Sequence, residues 1–164
     1  NKIINTLSKI KSTKGRMQYV GSKKKHSAVV VDYAHTPDAL KKSLQTLAKQ
    51  FNKKVDLVFG CGGDRDQGKR YKMGRIANQF ASKIYLTNDN PRSENPNFII
   101  SQIKKGCPKS KIILDRKVAI RSAIKNLNTD SILLIAGKGH ENYQIINNKK
   151  KYFSDQKVSK KFLK

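Results

Sequence analysis

Four stretches of this chain share one design: an apolar run stops at a polar turn that carries glycine or proline. They are AVVVDYAHTPD (Ala28 to Asp38), VDLVFGCGGDRDQGKR (Val55 to Arg70), KIYLTNDNPR (Lys83 to Arg92) and SILLIAGKGHE (Ser131 to Glu141). Short apolar runs bounded by turn residues read as buried strands. In a parallel sheet, the loops at the carboxyl ends of the strands lie along one edge, where α/β proteins bind ligands. Four turns far apart in sequence are therefore expected to face a single crevice.

The segments between these runs supply the helices. Thr36-Pro37-Asp38 is a helix start: a Thr cap, Pro at the first helical position and an acid in the first turn. The helix that follows puts Leu40, Leu44 and Leu47 on one face and ends near Phe51. Further helices are expected at Lys69 to Ala81, with Met73, Ile76, Ala77 and Phe80 inward, at Pro96 to Lys105, with Phe98, Ile99 and Ile103, at Lys117 to Leu127 and at Val158 to Leu163. Asn1 to Lys11 also shows helical spacing, through Ile3, Ile4, Leu7 and Ile10. Strands are expected at Arg16 to Val20, Ser27 to Val31, Val55 to Phe59, Ile84 to Thr87, Ile112 to Leu114 and Ser131 to Ala136. Tyr143 to Ile146 and Lys151 to Phe153 flank Asn147-Asn148 as a hairpin. Strands alternating with helices predict an α/β, doubly wound, mainly parallel sheet (Rossmann-like) with a C-terminal β-hairpin whose strands add antiparallel pairing. Residues 1–20 read as a connection from an upstream domain and 21–164 as the domain itself. The chain starts at Asn1 rather than Met, which predicts a piece of a longer protein.

At 164 residues the chain can bury one real core. No apolar stretch approaches the ~18 residues of a membrane span, and the N-terminus lacks the pattern of a secretory signal. Cys61 and Cys107 form neither metal spacing nor a disulfide framework. A cytoplasmic setting is expected. The formal charge of +25 raises a second class of function, a basic α/β module that binds RNA or an acidic partner. Yet 29 of the 36 basic residues are lysines, scattered along the whole chain. Bidentate recognition of bases and phosphates favours arginine, so no specific nucleic-acid partner is expected.

Each turn offers chemistry. Gly63 to Lys69 nearly matches a phosphate loop, but Arg70 stands where a magnesium-binding hydroxyl belongs. Asp64 and Asp66 would also oppose phosphates where bare amides are needed. Arg65 is the residue to single out there, as a bidentate partner for a substrate carboxylate. Asp89-Asn90-Pro91-Arg92 is a stiff loop presenting an acid and an arginine, since Pro91 fixes its own φ and pushes Asn90 to an extended conformation. That suits a ligand with both an ammonium and a carboxylate; an ordinary turn with a local Asp–Arg pair is the alternative. In Gly137-Lys138-Gly139-His140-Glu141 the glycines permit close approach of a ligand, Glu141 could hold an amine, and His140 is either a base or structural. Asp32 and His35 either touch a nucleotide or pair locally.

Taken together, Val30 to Leu40, Phe59 to Asp66, Asp89 to Arg92 and Gly137 to Gln144 resemble the C-terminal domain of the Mur ligases, in order and over nearly the whole chain from about Gly15. The resemblance implies ATP-dependent amide-bond formation in peptidoglycan synthesis. The γ-carboxylate of the D-glutamyl residue of UDP-MurNAc-L-Ala-D-Glu is phosphorylated, then attacked by the amino group of meso-diaminopimelate. It also implies roles. Arg65 matches a position that holds a carboxylate of the amino acid. Asp89, Asn90, Pro91 and Arg92 match the diaminopimelate-recognition motif, with Arg92 on the second carboxylate. Gly137 and Glu141 match positions that receive the distal ammonium. Asp32 and His35 match positions facing ATP. Diaminopimelate exceeds lysine by one carboxylate, so a buried arginine meeting that group would be left unpaired by lysine. The family's Mg2+ ligands, phosphate loop and modified lysine belong to a central domain and its UDP-sugar site to an N-terminal one. This chain is thus expected to be one domain of three and inactive alone. Asn88 stands where many members carry another acid.

Overall fold

The computed structural model describes residues 13–164, so the helical reading of Asn1 to Lys11 lies outside the described residues. The strands are β1 (Gln18–Gly21), β2 (Ala28–Asp32), β3 (Lys54–Phe59), β4 (Ile84–Leu86), β5 (Lys111–Ile112), β6 (Ser131–Ala136), β7 (Tyr143–Ile146) and β8 (Lys149–Tyr152). The helices are α1 (Pro37–Phe51), α2 (Gly68–Phe80), α3 (Pro96–Lys104), α4 (Arg116–Lys125) and α5 (Asp155–Leu163). The main sheet has the order β1-β2-β6-β3-β4-β5. All its pairings are parallel except β1 with β2.

The pleat divides the core into two layers, because successive side chains leave opposite faces of a strand. Ala28, Val30, Val55, Leu57, Phe59, Ile132 and Leu134 face one side, against Leu40, Leu44 and Leu47 of α1, Met73 and Ala77 of α2 and Ile99 and Ile103 of α3. Val29, Val31, Val58, Leu133 and Ile135 face the other, against α4 (Ala119, Ile120, Ala123, Ile124) and α5 (Val158, Phe162). Burial on both faces explains why these strands read as nearly continuous apolar runs, interrupted in β3 by the buried Asp56. The sheet is doubly wound, as expected.

Local chemistry sets the helix starts. Thr36 Oγ1 accepts from the Ala39 amide ahead of Pro37, Asp115 caps α4, and Ser154 caps α5. The Ser154 cap starts α5 at Asp155, earlier than the apolar spacing from Val158 indicated. Phe98, expected inward, is 52% exposed, because α3 turns Ile99, Ile100 and Ile103 to the sheet instead.

The expected C-terminal antiparallel hairpin is present as β7–β8. The hairpin β7–β8 forms a sheet of its own, and the antiparallel strand of the main sheet is β1. Asn147 and Asn148 both have positive φ (50° and 56°), as a two-residue hairpin turn matched to strand twist requires. The hairpin is tied to the main body through Arg92, whose amide donates to Ile145 O at 3.0 Å and whose carbonyl accepts from Asn148 at 3.4 Å.

Candidate functional site

The carboxyl ends of β2, β6, β3 and β4 are neighbours in the sheet, so the four turns meet at one edge. They enclose a crevice of about 340 Å³ lined by Tyr33, His35, Gly62, Arg65, Lys69, Asp89, Asn90, Arg92, Gly137, Glu141 and Tyr143. A larger hollow, about 540 Å³, lies at the opposite edge near the amino ends of β4 and β5. Its charged lining is Lys83, Lys109 and Lys111, with no acid and no arginine. Of these two, the smaller crevice is the one that offers groups of both signs.

The turns after β3 and β4 are stitched to one another. The Gly63 amide donates to Asn90 O at 2.9 Å, and Arg92 Nη1 donates to Gly63 O at 2.6 Å. Gly63 must be glycine, because a Cβ there would sit 2.0 Å from the Pro91 carbonyl oxygen. Arg70, whose side chain is fully buried, grips Glu94 with both terminal nitrogens (2.9 and 2.7 Å) and also reaches Gln102 and Gly62 O. Glu94 in turn accepts from the Asp64 amide, and Asp64 accepts from Ser93 Oγ at 2.7 Å. The arginine that spoils the phosphate-loop pattern is thus the staple of this corner. Its hydrogen bonds hold the Glu94 carboxyl below the usual carboxylate value, and those of Ser93 do the same for Asp64.

These contacts decide the phosphate-loop question. The amides of Gly63, Asp64 and Gly68 are already donating, to Asn90 O, Glu94 and Asp66 respectively. A phosphate cradle needs such amides bare. Among the described residues there is also no cluster of His, Cys, Asp and Glu that could hold a metal ion. The residues present here do not fit a magnesium–phosphate site.

Arg92 has φ +54°, a left-handed conformation that is strained for a long side chain and is held by its contacts with the hairpin. Nη1 serves Gly63 O. Nη2 and Nε have no partner among the described residues. Arg65 is exposed, and among the described residues its side chain donates only to Asp64 O, at 3.2 Å, leaving most of its guanidinium free. Asp89, Asn90 and Pro91 are buried, and Pro91 does not line the crevice. Gly137, at φ +113°, follows β6 where a Cβ would stand 2.6 Å from Asp89 Oδ2. Glu141 Oε2 accepts from Asn90 Nδ2 at 3.2 Å. Of the residues singled out from sequence, Arg65, Asp89, Asn90, Arg92, Gly137, Glu141 and His35 line the crevice.

Asp32 does not. Its carboxylate accepts from the amides of Met17 (2.7 Å) and Ala34 (2.9 Å) and from Ser43 Oγ (3.1 Å), the local pairing that was one of its two readings. His35 lies at the rim with Nδ1 2.9 Å from Tyr33 O, which fixes the Nδ1–H tautomer and leaves Nε2 outward. His140 is exposed and packs against the Tyr33 ring at 5.2 Å between centroids. The Tyr33 phenol is raised by burial and then by the negative charge of Glu141 and Asp89. Cys61, at the start of the β3 turn, is pushed up to about 12 by burial, which keeps the thiol protonated.

Sequence reasoning missed three supports. Lys138 is fully buried and reaches Asp89, Asn90 and Glu141. Gln144 Nε2 donates to Asp89 O at 2.9 Å. Arg116, 2% exposed, pairs in two-pronged fashion with Asp155 (both 2.8 Å) and donates to Ala136 O at 3.0 Å. A lysine inside a short Gly-Lys-Gly run was a signal available for the first. The other two depend on contacts across 20 to 55 residues.

The profile of the family described as "Mur ligase, glutamate ligase domain" matches residues 15–139. The chain belongs to the Mur ligase family. It is 48% identical over 167 residues to the UDP-N-acetylmuramoyl-L-alanyl-D-glutamate–2,6-diaminopimelate ligase of Haemophilus ducreyi, covering 99% of this chain and 33% of that relative. To the ligase of the same name from Buchnera aphidicola it is 50% identical, covering 98% of this chain and 33% of the other. A solved structure of a ligase of that name superposes with a TM-score of 0.86 at 39% identity, over 98% of this chain and 34% of that one. The chain thus spans about a third of the length of the curated relatives it matches. Among the described residues no helix is long and apolar enough to cross a membrane.

Proposed function

We propose that this Mur ligase domain binds the incoming amino acid in an ATP-dependent ligase that adds meso-diaminopimelate to UDP-MurNAc-L-Ala-D-Glu during peptidoglycan synthesis. One observation carries the reading: two arginines and two carboxylates, supplied by three turns, line one crevice. Diaminopimelate presents two carboxylates and two amines, so charge and geometry pair off. Arg65, with its guanidinium free, takes the carboxylate that any α-amino acid has. Arg92, with Nη1 anchored on Gly63 O, offers its remaining edge to the second carboxylate. Glu141 and the Gly137 carbonyl, with Asp89 behind them, receive the distal ammonium. Holding both ends leaves the other amine facing its target in one orientation, and positioning of that kind removes much of the entropic cost of the reaction.

ATP supplies the phosphoryl group that activates the acceptor carboxylate; attack by the amine then forms the amide and releases phosphate. His35, with Nε2 outward at the rim, is the residue best placed to meet the nucleotide, while Asp32 acts by fixing the turn before it. Mg2+ would be held outside this chain's residues, in the part of the ligase that the chain does not span.

Steady-state kinetics of the full-length protein test the reading. ADP release that depends on UDP-MurNAc-L-Ala-D-Glu and prefers meso-diaminopimelate over lysine is expected. Salt-sensitive RNA binding with no amino-acid response would replace it by the basic-module alternative.

A further inference from the structure

We propose that Lys138 is a positioning residue that sets the crevice's preference for an amino acid whose distal ammonium carries a carboxylate beside it. The inference rests on the function proposed above and adds to it a residue that need not touch the ligand.

An ammonium has three donors. Those of Lys138 meet Asn90 Oδ1 at 3.0 Å, Glu141 Oε2 at 3.2 Å and Asp89 Oδ1 at 3.4 Å. None is left for a ligand, and the side chain has no exposed surface. What it does instead is arrange the acceptors. Asn90 Oδ1 takes Lys138 and the Ile145 amide (3.0 Å), which turns the Asn90 NH2 group towards Glu141. Asp89 Oδ2 and Glu141 Oε1 are left without a partner among the described residues, at the end of the crevice where the distal ammonium is placed.

Charge gives the selectivity. Two carboxylates and one ammonium leave a single negative charge at this end. A distal group that is itself an ammonium with a carboxylate attached meets little repulsion, and Arg92 rewards its carboxylate. With the lysine charge removed, the two carboxylates would lose the ammonium between them, and this partly buried end of the crevice would become more negative by one charge. They would repel the second carboxylate of diaminopimelate and attract the bare ammonium of lysine. Loss of Lys138 should therefore change which amino acid is preferred. A residue that only props up the fold would lower activity with both amino acids alike.

The experiment compares kcat/KM for meso-diaminopimelate and for lysine in the full-length protein, with Lys138→Met and with the milder Lys138→Gln. The expected result is a fall of about tenfold or more in the diaminopimelate-to-lysine ratio, carried mainly by KM, with the KM for ATP unchanged. Lys138→Arg, if its larger head is accommodated, should restore part of the ratio. An unchanged ratio in either uncharged variant overturns the proposal. So does loss of fold in both, which would make Lys138 a structural pin. A wild-type protein that does not use diaminopimelate would instead defeat the underlying function, and that result appears before any substitution is made.

Discussion

Two ion-pair clusters hold the same pair of turns, and they are finished differently. Beneath the sheet edge, Arg116 and Asp155 form a closed set. Both side chains are out of solvent, both carboxylate oxygens are met by the guanidinium, and two further donors go to Ala136 O and Asn88 O. Those carbonyls belong to the residues just before the Gly137 and Asp89 turns. At the edge itself, Lys138, Asp89, Asn90 and Glu141 form an open set, with acceptor atoms left over on the crevice side. Burial alone therefore does not mark a functional charge. Unspent hydrogen-bonding capacity facing a cavity does.

The comparison breaks most sharply at Arg116. Arg116→Met leaves Asp155 buried and unpaired, which should cost about 3–5 kcal/mol in urea unfolding. A loss below about 1 kcal/mol would mean that the closed cluster is not a strut. At the open edge, Arg92→Ala in the full-length protein should lower kcat/KM for meso-diaminopimelate by roughly 10²–10³, because a charged group loses its partner in a partly buried site. ATP binding should hardly move, and equal activity before and after would remove Arg92 from the amino-acid site. Arg65→Ala should raise KM for every amino-acid substrate by about 10- to 100-fold. An unchanged KM would make Arg65 a surface residue.

The smallest effect belongs to the stapled corner. Arg70 holds Glu94 below its ordinary value of 4.5, so the unfolded chain takes up this proton first as pH falls. The stabilisation is present above about pH 4.5 and is lost as pH drops through the lower folded-state value. Glu94→Gln should be less stable at neutral pH and show a flatter decline of Tm on acidification. An unaltered Tm–pH profile would show that the staple is idle.

Much of the fold was legible because it is written in short-range signals. The β2 and β6 runs are apolar without alternation, β3 nearly so, and Thr36-Pro37-Asp38 starts α1 where a cap and a proline demand it. Phe98 escaped because α3 is apolar on more than one side, and only docking decides which side is inward. The hairpin was visible from Asn147-Asn148, but not that it would stand as its own sheet and brace Arg92. In the crevice the free ends of Arg65, Arg92 and Glu141 could be picked out as residue types suited to a zwitterion. Asp32 could not be told from a ligand contact by its neighbours in sequence, since the amides and hydroxyl that occupy it lie up to 15 residues away.

The sequence by itself determined which segments are strands and helices, that the four turns end buried strands, and which charged groups those turns offer. Periodicity, caps and turn residues act over a few positions and need nothing distant. Only the tertiary structure decided which charges are spent and which are free. Lys138 meeting Asp89, Arg70 meeting Glu94 and Arg116 meeting Asp155 are separated by 49, 24 and 39 residues. Hydrogen-bond saturation depends on distances of about 3 Å, and only the packed chain sets those.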